Sequence, residues 1–256
     1  MPAWRLIETA PAPGAVNMAV DQVLVERVQA GGAPVLRLYR WTPACLSLGR
    51  NQSTPGPALA RAAAAHGIDV VRRPTGGAAV LHDRELTYSV AVPVGALGSP
   101  RETYRTINQA LVAGIRRLGV PARVEDEGAA RTAIAGPCFQ AAAPGEVVVG
   151  GRKLVGSAQR RDGRVLLQHG SLLLDGSQDL AAELVGWEDA QATSAITLAE
   201  VLDPLPDWSA IVEAIAAGFA DVLGTALAPD ALSPAEHERT TTLRAHFESD
   251  EWMWRR

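Results

Sequence analysis

The stretch Glu146–Leu174, EVVVGGRKLVGSAQRRDGRVLLQHGSLLL, decides the fold. Its β-prone runs are interrupted twice, by Gly150-Gly151 and by Asp162-Gly163. Gly-Gly and Asp-Gly between such runs signal hairpins, because tight hairpin turns need positive φ, which glycine adopts without a Cβ clash. The stretch therefore predicts strands over Glu146–Val149, Arg152–Arg161 and Arg164–Leu174, joined as antiparallel neighbours. Lys153 falls on the middle strand, just beyond the first turn. Of the 24 basic residues it is the only lysine.

The rest of the chain extends this pattern. Short strands are expected at Val35–Trp41, Cys45–Leu48, Val70–Arg73, Ala78–His82 and Leu86–Val92. A helical stripe runs through Val20, Val23, Leu24 and Val28. The alanine-rich segment Ala58–His66 stops at Gly67. Ser99-Pro100-Arg101-Glu102 is a capping box with proline at the first helical position, and Tyr104, Ile107, Leu111, Ile115 and Leu118 form the stripe behind it. Ile211, Ile215, Phe219 and Val222 mark another helix, and Ser233-Pro234-Ala235-Glu236 is a second capping box. The strands are too hairpin-rich for a doubly wound parallel sheet. They predict one domain over residues 1–256, with a core from about residue 30 to about residue 230 and a helical C-terminal tail.

Composition narrows the function classes. The chain is 47% apolar and 20% charged, as in an ordinary globular protein. No apolar run reaches the roughly 18 residues of a membrane span. The net charge of -4 argues against a general nucleic-acid binder. Cys45 and Cys138 lie far apart, with no CxxC and no paired Cys/His spacing, so no metal is expected. The opening MPAWRLIETA lacks a basic segment before an apolar block, so a cytoplasmic protein with reduced thiols is expected.

Three clusters carry candidate chemistry. Lys153 is surrounded in sequence by Gly150, Gly151, Gly156, Ser157 and Ala158, small residues that let backbone or ligand come close. An ammonium there could hold an acyl oxygen or stabilise a thiolate; it could also be a compositional leftover. Cys138, in GPCFQAAAPG, has the loop context of a reactive thiol, although a free cysteine is often a small buried hydrophobe. Cys45, between Ala44 and Leu46 on a strand, fits the buried role better. In RRPTGGAAVLHD, residues Arg72, Arg73, Thr75, Gly76, Gly77 and Ala78 form a turn that could clamp an anion or a carbonyl, or simply carry solvated arginines. No Lys-Ser/Thr pair follows the glycines, so it is not a P-loop. His82 reads as a base or as a hydrogen-bonded surface residue. His169, in LLQHGSLLL, reads better as a packed or backbone-bonded residue than as a base.

Taken together, RRPTGGAAVLHDRELTYSV, GGRKLVGSAQRR and LLQHGSLLL resemble the superfamily of lipoate-protein ligase A, lipoyl/octanoyl transferases and biotin protein ligases. WRLIETAPAPGAVNMAVDQVL, LRLYRWTPACLSLGRNQ and SDEWMWRR fit as well, so the resemblance spans nearly the whole chain. Within it, Cys138 stands 15 residues before Lys153, as in the cysteine-dependent octanoyltransferase branch. Ala78 departs from ligases that carry a third glycine near the acyl-adenylate.

The resemblance implies an α+β fold, a mainly antiparallel sheet flanked by helices, like the catalytic domains of class II aminoacyl-tRNA synthetases and biotin protein ligases. It implies octanoyl transfer from octanoyl acyl carrier protein to a lipoyl-domain lysine through a thioester on Cys138, with Lys153 as the second catalytic residue. The acceptor would be glycine-cleavage H protein or a dehydrogenase E2. Arg72, Arg73, Thr75, Gly76, Gly77, Ala78, His82, Gly156, Ser157, Ala158 and His169 would line the substrate site. No cofactor, metal, nucleic acid or membrane is expected, and a monomer is. A basic patch of Arg152, Arg160, Arg161 and Arg164 would receive the acidic carrier. The alternatives are an ATP-dependent lipoate ligase, an octanoyl amidotransferase between lipoyl domains, and a non-catalytic acyl-binding module.

Overall fold

The structure, a computed structural model, describes residues 3–125, 139, 144–187 and 195–255. The described strands form two sheets. The larger has eight strands: β1 (Trp4–Glu8), β2 (Val35–Tyr39), β6 (Glu85–Pro93), β7 (Arg123–Val124), β8 (Val147–Val149), β9 (Arg152–Asp162), β10 (Val165–Leu173) and β11 (Leu227–Asp230). Its order is β11-β1-β2-β6-β10-β9-β8-β7. Only β1 pairs in parallel, with β11 and with β2. The smaller sheet is β4-β3-β5, made of β3 (Cys45–Leu48), β4 (Asp69–Arg72) and β5 (Val80–His82).

The deciding stretch folds as its turns dictate. Gly150 and Gly151 both have positive φ, at 58° and 79°, and join β8 to β9. At the second hairpin the turn sits one residue later than expected. Asp162 still pairs with Val165, so Gly163 and Arg164 make the turn, with φ 55° at Gly163. Asp162 is retained by the strand because its carbonyl and carboxylate accept from Gln29 and Gln22 of the helix behind it.

Helices cover both faces of the large sheet. On one face α3 (Pro100–Arg117) and α5 (Trp208–Leu223) pack over Leu36, Leu86, Tyr88, Val90, Leu166 and Leu172. Gly114 and Gly218 let these two helices meet backbone to backbone, since a Cβ on Gly218 would collide with the Gly114 amide. On the other face α1 (Gly14–Gln29) lies over Val35, Ala91, Val165 and Leu167. Behind it runs α6 (Pro234–Glu248), so α1 is buried nearly all round. Both expected capping boxes are formed, at Ser99–Glu102 and Ser233–Glu236. The small sheet packs with α2 (Pro57–Ala65), α4 (Asp179–Leu184) and α7 (Asp250–Met253) around Leu46, Leu48, Val71 and Trp252. The expected α+β class, antiparallel in most of its pairings and flanked by helices, is what the chain adopts. Among the described residues no helix is long and apolar enough to cross a membrane.

Candidate active site

Lys153 is positioned by an irregularity in β9. Val148 pairs with Lys153 and Val147 pairs with Val155, so Leu154 is an extra residue, a β-bulge. Bulges bend a strand and re-aim its side chains. The Lys153 carbonyl accepts from the Ile196 amide at 3.0 Å, which fixes the backbone on the other side. The Lys153 side chain is buried and its Nζ lies 2.7 Å from Glu146 Oε1, itself buried. The Phe139 ring centroid is 5.1 Å from the same nitrogen. Asn108 Nδ2 on α3 donates to the Gly145 carbonyl at 2.7 Å and so anchors the chain immediately ahead of Glu146. Burying either charge alone would cost several kcal/mol; paired at this distance, each offsets much of the other's lost hydration.

Beside this ion pair, between the two sheets, is a narrow cavity of about 40 Å³. Arg73, Gly77, Val80 and His82 line it on the small-sheet side, and Gly156, Ser157, Ala158, His169, Gly170 and Ser171 on the large-sheet side. Met18, Tyr39, Trp41, Ser47 and Thr87 complete the wall. Val80 connects the two regions, since it also packs with Phe139, Leu173 and Ala195.

Most polar side chains in and behind the wall hydrogen-bond to one another, whereas the buried Ser171 hydroxyl has no partner among the described residues. Arg37 Nη1 donates to Asp21 Oδ1 at 2.8 Å, and Asp21 Oδ2 also accepts from the Tyr39 hydroxyl at 3.1 Å. His169 Nδ1 is 3.2 Å from that oxygen and its Nε2 is 2.5 Å from Thr75 Oγ1. Burial pushes the His169 imidazole below its ordinary pKa, against the pull of Asp21. Neutral His169 donates through Nδ1 to Asp21 and accepts from Thr75. A second set joins Ser47 Oγ to His82 Nε2 at 2.8 Å, and Glu85 and the Trp41 indole to Thr87 Oγ1 at 2.8 and 2.7 Å. Trp41 stacks on His82 with centroids 4.2 Å apart. With these polar atoms satisfied, the cavity offers carbon surface suited to an alkyl chain.

The structure brings together most of the predicted set. Arg73, Gly77, His82, Gly156, Ser157, Ala158 and His169 are in the wall, and Thr75 bonds His169. Arg73 donates to the Gly76, Ala78 and Ser47 carbonyls and thereby shapes its own turn. Arg72 departs from the expected role. Its guanidinium donates to the carbonyls of Gly49, Gln52 and Met253, so it ties the end of β3 to α7 instead of reaching the cavity. Cys45 is fully buried, and burial together with the Asp69 and Glu85 carboxylates pushes its thiol well up, away from reactivity. Cys138, the predicted nucleophile, lies outside the described residues. Of the predicted basic patch, Arg152 pairs with Glu200 and Arg160 lies 3.5 Å from Asp162. Among the described residues no group of three His, Cys, Asp or Glu side chains could hold a metal ion.

Glu146, Asp21, Ser47 and Trp41 were not among the residues expected at the site. Glu146 could have been found by its place, an acidic residue at the edge of a buried strand seven positions before the lone lysine.

The family model for the lipoyl protein ligase A/B catalytic domain matches residues 13–220. The chain belongs to that family. Among the relatives of this lipoyl ligase-family chain, Octanoyltransferase LipM of Kyrpidia tusciae is 40% identical over 274 residues, covering 100% of each chain. Octanoyltransferase LipM of Symbiobacterium thermophilum is 39% identical, over 99% of this chain and 98% of that one. Among solved structures, lipoate-protein ligase A bound with ATP superposes with a TM-score of 0.81 at 21% identity, over 98% of each chain. The expected superfamily and fold class are thereby borne out.

Proposed function

We propose that this lipoyl ligase-family protein is an octanoyltransferase of lipoate assembly, an acyltransferase that carries the octanoyl group on Cys138. Its full-length relatives named Octanoyltransferase LipM support the reaction class. The observation that carries the residue assignment is the contact of Phe139, joined to Cys138 by one peptide bond, with the Lys153 ammonium at 5.1 Å.

The steps follow from the chemistry of a thioester. The Cys138 thiolate attacks the carbonyl of octanoyl acyl carrier protein, the carrier thiolate leaves, and a new thioester remains on the enzyme. Lys153 stabilises the thiolate and then the oxygen on which charge develops. The octanoyl chain occupies the apolar cavity between the sheets. The ε-amine of a lipoyl-domain lysine, in glycine-cleavage H protein or a dehydrogenase E2, then attacks; an amide forms and Cys138 is released. The donor is already activated, so ATP has no step to drive.

The partner surface proposed here differs from the one expected. Burial, then the like charges of Arg160 and Arg255, pull the Arg50 guanidinium below its ordinary pKa. Arg50 and Arg255 both sit over the Trp252 ring, at 5.5 and 4.8 Å. The Arg50 amide also bonds the Thr75 carbonyl, so this cationic cluster adjoins the cavity turn. An acidic carrier protein fits it.

Intact-protein mass spectrometry after mixing with octanoyl carrier protein tests the proposal. One octanoyl adduct that hydroxylamine removes, and that Cys138→Ser abolishes, is expected without ATP. Transfer that requires ATP and survives Cys138→Ser would make the protein a ligase instead.

A further inference from the structure

Strand β10 turns every second side chain toward the cavity, and one of them is left over. Leu173, Ser171 and His169 share that face, as the two-residue repeat of a strand requires. Leu173 packs with Val80 and Phe139, and His169 is bonded to Asp21 and Thr75. Ser171 stands between them and is 1% exposed, and its hydroxyl has no hydrogen-bond partner among the described residues. Buried hydroxyls are nearly always paired, because an unpaired one forfeits its hydration with nothing in return.

The neighbouring strands explain why no protein group meets it. Ser171 stands opposite Gly156 on β9 and Thr87 on β6, so ladders on both sides take up the backbone around it. Gly156 has no side chain. The Thr87 hydroxyl donates to Glu85 at 2.8 Å and accepts from the Trp41 indole at 2.7 Å. On the small sheet, Ser47 is bonded to His82, and Arg73 donates to the Gly76, Ala78 and Ser47 carbonyls. The Ser171 hydroxyl thus lines a space whose surrounding polar groups are engaged elsewhere.

We propose that Ser171 donates a hydrogen bond to the carbonyl oxygen of the acyl group held in this cavity. This rests on the reading of the cavity as the seat of an octanoyl chain. An octanoyl group carries one oxygen, on its carbonyl, and is hydrocarbon everywhere else. The partner that such a group brings to Ser171 is therefore that oxygen. A narrow cavity suits this, since an unbranched chain threads it in single file. With the carbonyl at Ser171, the chain lies along the carbon surface of Met18, Tyr39 and Trp41. Whichever nucleophile attacks the carbonyl, negative charge develops on the same oxygen, and a donor already in place stabilises it. Ser171 is then a catalytic residue of the acyl site, wherever the nucleophile stands.

The test uses two compounds that do not react. N-methyloctanamide, labelled with carbon-13 at the carbonyl, keeps the acyl oxygen. Octyl methyl sulfide keeps a chain and lacks the carbonyl. Ser171→Ala binds the amide about two- to tenfold more weakly than wild type, the loss of one neutral hydrogen bond. The two proteins bind the sulfide alike. In infrared difference spectra the labelled carbonyl of the bound amide absorbs at lower frequency in wild type than in Ser171→Ala, a shift that a merely structural serine would not produce. In turnover with octanoyl carrier protein, Ser171→Ala loses about a hundredfold in kcat. Ser171→Thr, which keeps the hydroxyl, restores affinity, frequency and kcat toward wild type.

Thermal unfolding of the free protein gives an independent sign. Ser171→Ala melts at or above the wild-type temperature, since alanine removes a polar group that the free protein leaves unpaired. A clearly lower melting temperature overturns the inference, because the hydroxyl would then have its partner within the protein. Equal amide affinity and equal carbonyl frequency in wild type and Ser171→Ala also overturn it, while leaving the cavity as an acyl site. If wild type binds neither compound, the octanoyl reading of the cavity fails, and the inference falls with it.

Discussion

Lys153 Nζ and Glu146 Oε1 meet at 2.7 Å beneath a β-bulge, in a region otherwise packed with valine, leucine and phenylalanine. Lys153→Ala is expected to slow single-turnover acylation by about a hundred- to a thousandfold, as loss of a charge-stabilising donor does elsewhere. Lys153→Arg should recover little of this, because a planar fork does not fit between Phe139 and Glu146 as an ammonium does. Acylation of Lys153→Arg at the wild-type rate would mean that charge alone suffices.

The two cysteines should separate cleanly. The Cys45 thiol is buried and its pKa is pushed well up, first by burial and then by Asp69 and Glu85. Brief alkylation at neutral pH is expected to modify Cys138 and spare Cys45, read by peptide mass mapping. Cys45→Ala should keep its transfer rate, losing about 1 kcal/mol of stability to the missing sulfur. Cys138→Ala should keep stability and lose transfer.

Acid should weaken the fold through the cavity wall. Burial lowers the His169 pKa below its unfolded value of about 6.5. The unfolded chain therefore takes up a proton that the folded chain refuses, and stability falls as pH drops below about 6.5. Burial raises the Asp21 pKa, but the His169 hydrogen bond and the Arg37 charge outweigh it and the net shift is downward. Its contribution is present above about pH 4 and is lost as pH falls through the folded value. Melting temperature should decline from about pH 7 to about pH 5, and His169→Gln should flatten that decline. An equal slope in the variant would exclude His169 as the cause.

How far all this could be read in the sequence depended on the range of the interaction. Hairpins at Gly150-Gly151 and Gly163 and helix starts at Ser99 and Ser233 are set by neighbours in the chain, and they were legible. The partners of β1 were not: Trp4 pairs with Leu227, across nearly the whole chain, with no local signal. Arg72 and Arg73 look alike in sequence, yet the alternation of a strand sends one to α7 and the other to the cavity. Glu146 escaped notice because a bulge, which the sequence does not announce, brings it to Lys153.

Carrier docking should depend on charge at Arg50 and Arg255. The double variant Arg50→Glu/Arg255→Glu is expected to raise KM for octanoyl carrier protein roughly tenfold at low salt, with little change in kcat. Wild-type KM should rise with ionic strength and that of the variant should not. Unchanged KM would move the carrier surface elsewhere.

The cavity floor tolerates no side chain at Gly170. A Cβ there would strike the Gly156 carbonyl oxygen and approach the Tyr88 ring to 2.7 Å. Gly170→Ala should cost about 1–3 kcal/mol of stability by forcing β9 and β10 apart. The loss would appear as a lower denaturant midpoint.

Strand β1 lies between β2, which follows it closely, and β11, which is made more than 200 residues later. During synthesis β1 can join β2 early, but its outer edge stays bare until residues 227–230 emerge. A bare edge invites pairing with other chains. The ribosome thus releases this protein through an interval in which it is nearly complete and still adhesive. Shortened versions ending before Leu227 would remain in that interval, and aggregation, more than loss of chemistry, would be their first defect.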